Sequence, residues 1–354
     1  MAKIVYFGFL SPNIHEGGMA RNNAFYNKFR ELNATVYNAY STNFLLRIFK
    51  SIFFICYFLL VKETKIFIHQ SAFLAFIPVR LYRFSCFRLG IKWLLINCVK
   101  RNQLTIEIND LPYEQAIDLK IPINNLYQCF EDLVYSIKGC HYVFASYSML
   151  EYVKNKYNLL NSQAQVIING GPMNTNIKFD LKCQESWLFT DKFKFVYAGS
   201  LNKGRQIEDL IAIFQNQKNG ILILLGSGGD WILEIKNLKN IFYLGNYTEE
   251  EAHFITSNCD IGLIPYDAKL FYYNLCYPTK VSFYITAGIG LLCTPLGELQ
   301  RIFEYTDSVV FKPIDEWESF ISSLDRNQLK SLQLKTKNIQ NNFTWHSLLI
   351  KLNV

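Results

Sequence analysis

The sequence predicts an α/β protein made of two doubly wound parallel-sheet domains. Short apolar runs that suit buried parallel strands alternate with helix-periodic segments along the chain. The length of 354 residues and the 50% hydrophobic content are sufficient for two cores. The chain breaker Asn169-Gly170-Gly171-Pro172 divides the alternation into halves. We therefore expect domains at 1–172 and 173–340.

The first half contains the elements of one such domain. Polar residues stand at the carboxyl ends of two predicted strands, where a doubly wound sheet binds its ligand. They are His69, Glu107, Asn109 and Asp110, which makes them candidates for substrate binding or proton transfer. The predicted strands cover 3–9, 65–71, 104–108 and 141–147, and the predicted helices cover 20–32, 44–61, 79–101 and 148–158.

A glycine pair precedes the first helix. Gly17 and Gly18 would let the helix start hold an anion or leave room for a ligand. The spacing differs from the G-x-G-x-x-G pattern of dinucleotide enzymes, so a dehydrogenase is disfavoured.

Two segments of the first half bear on membrane contact. The uninterrupted apolar run 52–61 has ten residues and is too short to span a bilayer, so we interpret 44–61 as a buried helix. The segment 79–101 mixes basic, aromatic and aliphatic residues. It predicts either a solvated helix over a core stripe or a basic amphipathic helix on an anionic membrane surface.

Composition narrows the class of partner and the compartment. The net charge of +7 and the 16% aromatic content suit phosphorylated small molecules or an anionic membrane, whereas the absence of a Lys/Arg-rich tract disfavours nucleic acid. Nine cysteines without a C-x-x-C pair indicate reduced thiols and no zinc site. The N-terminus lacks the pattern of a signal peptide, which favours a cytoplasmic protein.

The second half repeats the alternation of strands and helices. A glycine follows two of its strands, at Gly199 and at Gly226, and Thr248 with Glu251 forms a predicted capping box. The segments that begin with a strand are 193–205, 220–230, 241–255 and 259–267, and a last strand covers 309–313.

The stretch 277–297 is the most informative part of this half. Pro278 breaks the chain, Thr279 is the expected N-cap of a short helix, and Lys280 follows at once. Ala287-Gly288 ends the helix before the apolar strand 289–293. A cation beside free backbone N–H groups at a helix start predicts a phosphate site.

This stretch resembles the nucleotide-sugar motif of GT-B glycosyltransferases, especially those related to glycosyltransferase family 4. The resemblance implies two Rossmann-like domains facing each other across a cleft, with a C-terminal helix (341–354) that begins at Phe343-Thr344-Trp345 and returns to the first domain. One feature departs from the family. Many members carry two glutamates seven residues apart here, whereas this chain has Leu275 and Cys276 near the first place and Phe283 near the second.

The resemblance implies a donor site in the second domain. Lys280 and either Lys203 or Arg205 would neutralise the leaving diphosphate, because Ser200 stands where the family has an arginine. Lys280, Arg205 and Asp110 are the residues to which we assign catalytic roles. The expected donor-binding residues are Gly199, Ser200, Lys203, Arg205, Gly226, Ser227, Gly228, Tyr247, Pro278, Thr279, Lys280 and Ser282.

The resemblance also implies an acceptor site in the first domain and a reaction class. The expected acceptor-binding residues are His15, Gly17, Gly18, His69, Asn109 and Asp110. The implied activity is sugar transfer, retaining and without a catalytic metal, from a nucleoside-diphosphate donor such as a UDP-sugar. The implied acceptor is a glycan, glycolipid or glycoprotein of bacterial surface polysaccharide assembly. No cofactor is expected, because the nucleotide-sugar is the substrate, and the enzyme would act in the cytoplasm at the inner face of the cell membrane.

Two alternatives remain open. The missing glutamate pair also suits a non-catalytic partner subunit or binding module with the same fold. A nucleotide-sugar epimerase is disfavoured, because the chain has only five histidines.

Overall fold

The computed structural model describes residues 3–11, 17–122, 124–173 and 187–354. The chain folds into two compact units. The first contains the first strand, Gly18–Ile168 and Lys351–Val354, and the second contains Asn169–Ile350. The units therefore divide a few residues before the predicted boundary, at the start of the Asn-Gly-Gly-Pro segment.

The first unit is built on a six-stranded parallel sheet in the order β2-β1-β3-β4-β5-β6. The chain adds one strand on one side of β1 and the others on the opposite side, so the strand order reverses between β1 and β3. The edge strand β2 was not predicted from the sequence, because its four residues are mostly half-buried or exposed. The strands are β1 (Lys3–Gly8), β2 (Thr35–Asn38), β3 (Thr64–His69), β4 (Gln103–Ile108), β5 (His141–Phe144) and β6 (Ala164–Val166).

Helices connect these strands, as the alternation predicts. The predicted helix 79–101 is divided at Phe84, whose backbone is extended, into the 3₁₀ helix Val79–Arg83 and a following α-helix. The α-helices are α1 (Gly17–Glu31), α2 (Phe44–Leu60), α3 (Gln70–Phe76), α4 (Ser85–Val99), α5 (Pro112–Asp118), α6 (Asn124–Tyr135) and α7 (Tyr147–Tyr157).

The helix α2 corrects one interpretation made from the sequence. Its fully buried side chains are those of Phe54 and Phe58, whereas Leu45 and Phe49 are 66% and 70% exposed. The interpretation of 44–61 as a buried helix is wrong. The run 52–60 is apolar throughout, so the sequence does not show which side of the helix meets the core.

The second unit is built on another six-stranded parallel sheet, in the order β12-β11-β10-β7-β8-β9. Counted within the unit, this is the order 6-5-4-1-2-3, which reverses between β7 and β10. Its core includes Phe195, Phe214 and Trp317. The strands are β7 (Phe193–Ala198), β8 (Gly220–Leu225), β9 (Ile241–Gly245), β10 (Ile261–Ile264), β11 (Gly290–Cys293) and β12 (Val309–Phe311).

Some helices of the second unit begin with side-chain caps. The Thr248–Glu251 capping box is present at the start of α9, and the Thr344 hydroxyl accepts from the Ser347 N–H at the start of the last helix. The α-helices are α8 (Ile207–Gln215), α9 (Glu249–Ser257), α10 (Phe271–Leu275), α11 (Thr279–Thr286), α12 (Gly297–Ile302), α13 (Trp317–Ser323), α14 (Arg326–Ile339) and α15 (Trp345–Leu349).

The chain returns to the first unit only after α15. Lys65 Nζ on β3 donates to the Val354 carbonyl over 2.9 Å, and the Asn353 N–H donates to Gln165 Oε1 on β6 over 3.1 Å. The last helix itself belongs to the second unit, so residues 351–354 make the return that the sequence assigns to the whole segment 341–354.

Candidate active site

The glycines that follow β7 and β8 bring two backbone loops close together. Gly199 and Gly226 have φ values of +142° and +137°. A Cβ atom on Gly226 would lie 1.9 Å from the Gly199 carbonyl oxygen, so only glycine fits there. The Gly199 N–H donates to the Leu225 carbonyl, and the Gly226 N–H donates to the Gly245 carbonyl. These bonds fix the loops at the carboxyl edge of the sheet.

Lys280 lies at the point where the strand order of this sheet reverses. Its ammonium donates to the Tyr266 hydroxyl, beyond the end of β10, over 2.9 Å and lies 4.9 Å from the ring centre of Tyr197 on β7. A Cβ atom on Gly199 would lie 2.6 Å from Lys280 Cε. The bare backbone at Gly199 therefore leaves room for the lysine side chain to reach this position.

The surroundings of Lys280 favour an anion beside it. Burial alone lowers the pKa of Lys280, whereas Tyr197, Tyr266 and Tyr284 raise it, and the net effect is a pKa above the ordinary value. The side chain is therefore cationic at neutral pH. Within the described ranges, no carboxylate forms an ion pair with Lys280. An ammonium stabilised by π faces and a hydroxyl keeps the capacity to bind a phosphate.

The other predicted cations stand on the loop after β7. Lys203 and Arg205 are both exposed, and Lys203 Nζ lies 5.3 Å from the ring centre of Trp231. Burial raises the pKa of the Tyr197 hydroxyl, and the charges of Lys280 and Arg205 oppose that effect. The Arg205 charge therefore acts on the same hydroxyl as the Lys280 charge.

The remaining residues predicted on these loops hold the loops in shape. Ser200 Oγ accepts from Asn202 Nδ2 over 2.9 Å, and the Ser227 carbonyl accepts from the Leu201 N–H over 2.8 Å. Gly228 has a φ of +77° and abuts Asn202. Tyr247 is half-buried in the turn between β9 and α9.

The start of α11 differs from the sequence prediction at two residues. Pro278, not Thr279, occupies the N-cap, and no side chain makes a cap bond there. Ser282 is buried, its hydroxyl donates to the Asn169 carbonyl over 2.6 Å, and it lies 2.8 Å from the Tyr277 hydroxyl. These bonds hold α11 against the Asn169 segment, so we assign Ser282 a structural role in place of donor binding.

A second polar cluster lies in the first unit, at the carboxyl ends of β3 and β4. Arg21 Nε donates to Glu107 Oε1 over 2.7 Å, and Arg21 Nη1 donates to the Ile167 carbonyl over 2.7 Å. His69 Nε2 lies 3.9 Å from Glu107 Oε1, and all three side chains are buried. Arg21 is not predicted from the sequence. A lone arginine in an amphipathic helix gives no local sign of a partner 86 residues away.

Burial sets the protonation of this cluster. It raises the pKa of Glu107 to about 7, against the opposing charge of Arg21. Burial and then the Arg21 charge lower the pKa of His69 to about 3. His69 Nδ1 accepts from the Ser71 N–H over 3.0 Å, so the neutral ring carries its proton on Nε2. Among the described residues, that buried Nε2 has no hydrogen-bond partner.

The other acceptor candidates lie beside this cluster. Asn109 Nδ2 donates to Asp110 Oδ2 over 2.7 Å, and the Asp110 N–H donates to Gln70 Oε1 over 3.2 Å. Gly17 and Gly18 form the first two residues of α1. His15 lies outside the described residues. The structure thus brings His69, Glu107, Asn109 and Asp110 to one edge of the first sheet, as their strand-end positions predict.

Each unit is a doubly wound parallel sheet with a strand reversal, and solved glycosyltransferase structures share the fold of the two units, GT-B, along nearly the whole chain. Sucrose-phosphate synthase from Thermosynechococcus elongatus is 13% identical, with a TM-score of 0.70 over 99% of this chain and 97% of that one. HepE from Anabaena, in complex with UDP-glucose, is 12% identical, with a TM-score of 0.64 over 98% of this chain and 97% of that one. WaaG, a glycosyltransferase involved in lipopolysaccharide biosynthesis, is 8% identical, with a TM-score of 0.63 over 99% of this chain and all of that one. By sequence, no protein-family model and no curated protein matches the chain.

Proposed function

We propose that this protein is a glycosyltransferase that transfers a sugar from a nucleoside-diphosphate donor, with uridine as the base. The observation that carries the proposal is Lys280, a half-buried cation held between Tyr197 and Tyr266 where the strand order reverses. The two glycine loops at Gly199 and Gly226 lie beside it, with Gly199 directly against the lysine side chain. The presence of UDP-glucose in HepE, which shares the fold, supports uridine.

The proposed chemistry follows from the charges at this site. The bond between the anomeric carbon and the diphosphate oxygen breaks, and its electron pair leaves with the nucleoside diphosphate. An acceptor hydroxyl forms the new bond and releases its proton. Lys280 and Arg205, with Lys203 nearby, neutralise the charge that develops on the diphosphate. We propose that the reaction retains anomeric configuration and uses these side chains in place of a metal.

We assign acceptor recognition to the first unit. Asn109 and Asp110, next to the buried His69, supply donors and acceptors suited to sugar hydroxyls. The proposed acceptor is a lipid-linked glycan of a bacterial surface polysaccharide, assembled at the inner face of the cell membrane. The exposed apolar side chains of α2 support the lipid-linked form. Among the helices described, none is long and apolar enough to cross a membrane.

Calorimetric titration of nucleoside diphosphates into the native chain and into Lys280→Ala tests the donor site. We expect micromolar binding of uridine diphosphate and at least a tenfold loss in the variant, equivalent to about 1.4 kcal/mol. Lys330→Ala, at an exposed position on α14, is the matched control and should bind like the native chain. Failure of the native chain to bind any nucleoside diphosphate would refute the proposal.

One observation favours a second candidate, a non-catalytic partner subunit. Phe283 lies near the place of a family glutamate, and its ring centre is 5.0 Å from that of His253 in an edge-to-face contact. An aromatic contact there cannot hold a sugar hydroxyl. Turnover of the bound nucleotide's sugars distinguishes the two functions. Slow hydrolysis of one of them supports the transferase, and tight binding without hydrolysis or transfer supports the partner subunit.

A further inference from the structure

One side of α2 presents a continuous apolar stripe to solvent. Leu45, Phe49, Ile52, Phe53 and Leu60 recur at spacings of three, four and seven residues, which places them on one face of the helix. Their exposed fractions are 66%, 70%, 53%, 43% and 77%. We call these five side chains the α2 outer face. A face of this kind marks an interaction surface.

The opposite side of α2 is fixed in the core, so the outer face has a defined orientation. The Phe54 ring stacks on Phe76 at 4.6 Å, and Phe58 packs against Phe7 with ring centres 5.7 Å apart. The Arg101 guanidinium donates to the carbonyls of Phe58 and Leu59 in the last turn of the helix. The outer face therefore belongs to a helix held at its middle and at its C-terminal end.

Further exposed apolar side chains lie on α4, which packs against α2. Leu89 is 68% exposed and Trp93 is 60% exposed, while Ile91, Leu94 and Leu95 are buried. Tryptophan is enriched where proteins meet the headgroup region of a bilayer. The helix next to α2 therefore exposes further apolar side chains, among them a residue suited to a membrane interface.

The charge of this part of the chain is strongly one-sided. Between 44 and 101 the only acidic residue is Glu63, whereas the whole chain has nearly balanced numbers, 36 basic and 29 acidic. Arg83 and Phe84 form a cation–π contact at 4.5 Å, so a cation and an exposed ring stand together at the start of α4. The basic residues of the segment are Arg47, Lys50, Lys62, Lys65, Arg80, Arg83, Arg88, Lys92, Lys100 and Arg101.

A small pocket between α4 and α6 adds a place for a headgroup. Arg88, Lys92 and Ser136 line it beside the exposed Leu89, and Asp132 also contributes to its wall. The Asp132 carboxylate accepts from the Tyr157 hydroxyl over 3.1 Å. Two cations next to an apolar side chain suit a phosphate that is attached to an acyl chain.

We propose that the α2 outer face, with Leu89 and Trp93, docks this protein on the surface of a bilayer containing anionic phospholipid. The apolar side chains enter the acyl boundary, and the exposed Arg80 and Arg83, with Lys92 in the pocket, meet lipid phosphates. A second copy of this chain would bring the same basic charge to the contact and be repelled, so charge complementarity favours lipid. The inference deepens the proposed function and rests on it for the lipid-linked acceptor, because it names the surface that reaches that substrate.

Vesicle flotation tests the proposal with three proteins: the native chain, Leu45→Asp/Phe49→Asp, and the control Leu334→Asp/Tyr305→Asp. The control changes one aliphatic and one aromatic side chain of the second unit, 62% and 91% exposed. The native chain and the control should float with phosphatidylglycerol-containing vesicles, less in high salt, and remain unbound with pure phosphatidylcholine. The Leu45/Phe49 variant should lose at least tenfold in partitioning.

Other results of the flotation experiment would overturn the proposal. Equal flotation of all three proteins, or salt-independent binding to neutral vesicles, would do so. So would a native dimer by light scattering that fails to float and becomes monomeric in the Leu45/Phe49 variant, because the outer face would then bind a second copy. Calorimetry with uridine diphosphate separates this test from the donor site. Vesicle binding without nucleotide binding would support the docking surface and refute the proposed transferase function.

Discussion

Gly226 makes the tightest backbone contact between the loops that follow β7 and β8. A methyl group there would meet the Gly199 carbonyl oxygen, and φ of +137° is unfavourable for any other residue. We expect Gly226→Ala to lower the free energy of unfolding by about 1–3 kcal/mol and to abolish nucleotide binding, because the loops must separate. Gly204→Ala is the control. It also has positive φ but open space around it, so it should cost only about 1 kcal/mol and keep binding. Urea unfolding and calorimetry measure both.

Glu107 and His69 should give opposite pH dependences to stability. In the folded chain the pKa of Glu107 is raised from the ordinary 4.5 to about 7. The stabilisation that this protonated carboxyl provides is therefore fully present below pH 4.5 and is lost as the pH rises towards 7. In the folded chain the pKa of His69 is lowered from the ordinary 6.5 to about 3. The stabilisation that this neutral imidazole provides is therefore fully present above pH 6.5 and is lost as the pH falls towards 3.

Single variants at these two positions should show how each group changes the free energy of unfolding with pH. Relative to the native chain, Glu107→Gln should gain stability as pH rises from 4.5 to 7, and His69→Gln should lose stability as pH rises from 3 to 6.5. Each slope can reach about 1.4 kcal/mol per pH unit. Urea unfolding at a series of pH values measures them, with Glu304→Gln at an exposed position as the control. Parallel curves for all three variants would contradict the assigned protonation states.

At the scale of elements, the C-terminal end of α2 depends on a residue outside the helix. Arg101 donates to the carbonyls of Asn97, Phe58 and Leu59, which satisfies two otherwise open groups of the last turn of α2. We expect Arg101→Met to lower the free energy of unfolding by about 1–2 kcal/mol and to speed amide exchange in α2. The neighbouring Lys100→Met, at an exposed position, should change neither. Unchanged exchange in both would show that the core side chains alone hold the helix.

At the scale of the whole chain, the C-terminal residues pack against the sheet of the first unit. Leu352 is buried, and Val354 and Asn353 are bonded to Lys65 and Gln165. We expect Leu352→Ala to destabilise the first unit by about 2 kcal/mol and to speed amide exchange in β3 and β6, with no change in β7–β12. Ile350→Ala, at a position 63% exposed, should have no effect. Faster exchange in both units alike would mean that the return of the chain stabilises more than the first sheet.

The sequence by itself determined the features that have a local signature. The alternation of apolar runs and helix-periodic segments predicted most of the strands of both sheets, among them the strand after α11. Turn chemistry predicted the glycines after β7 and β8, Gly199 and Gly226, and the Pro278-Thr279-Lys280 segment predicted a helix start with a cation beside it. These predictions succeeded because period, glycine conformation and chain breaking act within a few residues.

Only the tertiary structure decided what depends on distant partners. The Arg21–Glu107 pair joins residues 86 positions apart, and the buried Ser282 hydroxyl donates to the Asn169 carbonyl, 113 positions away. The outward side of α2 was equally hidden, because the run 52–60 of this helix is apolar on every side. Which face of such a helix is buried, and which buried carboxyl meets a cation, is set by the elements packed around it and not by the residues beside it in the chain.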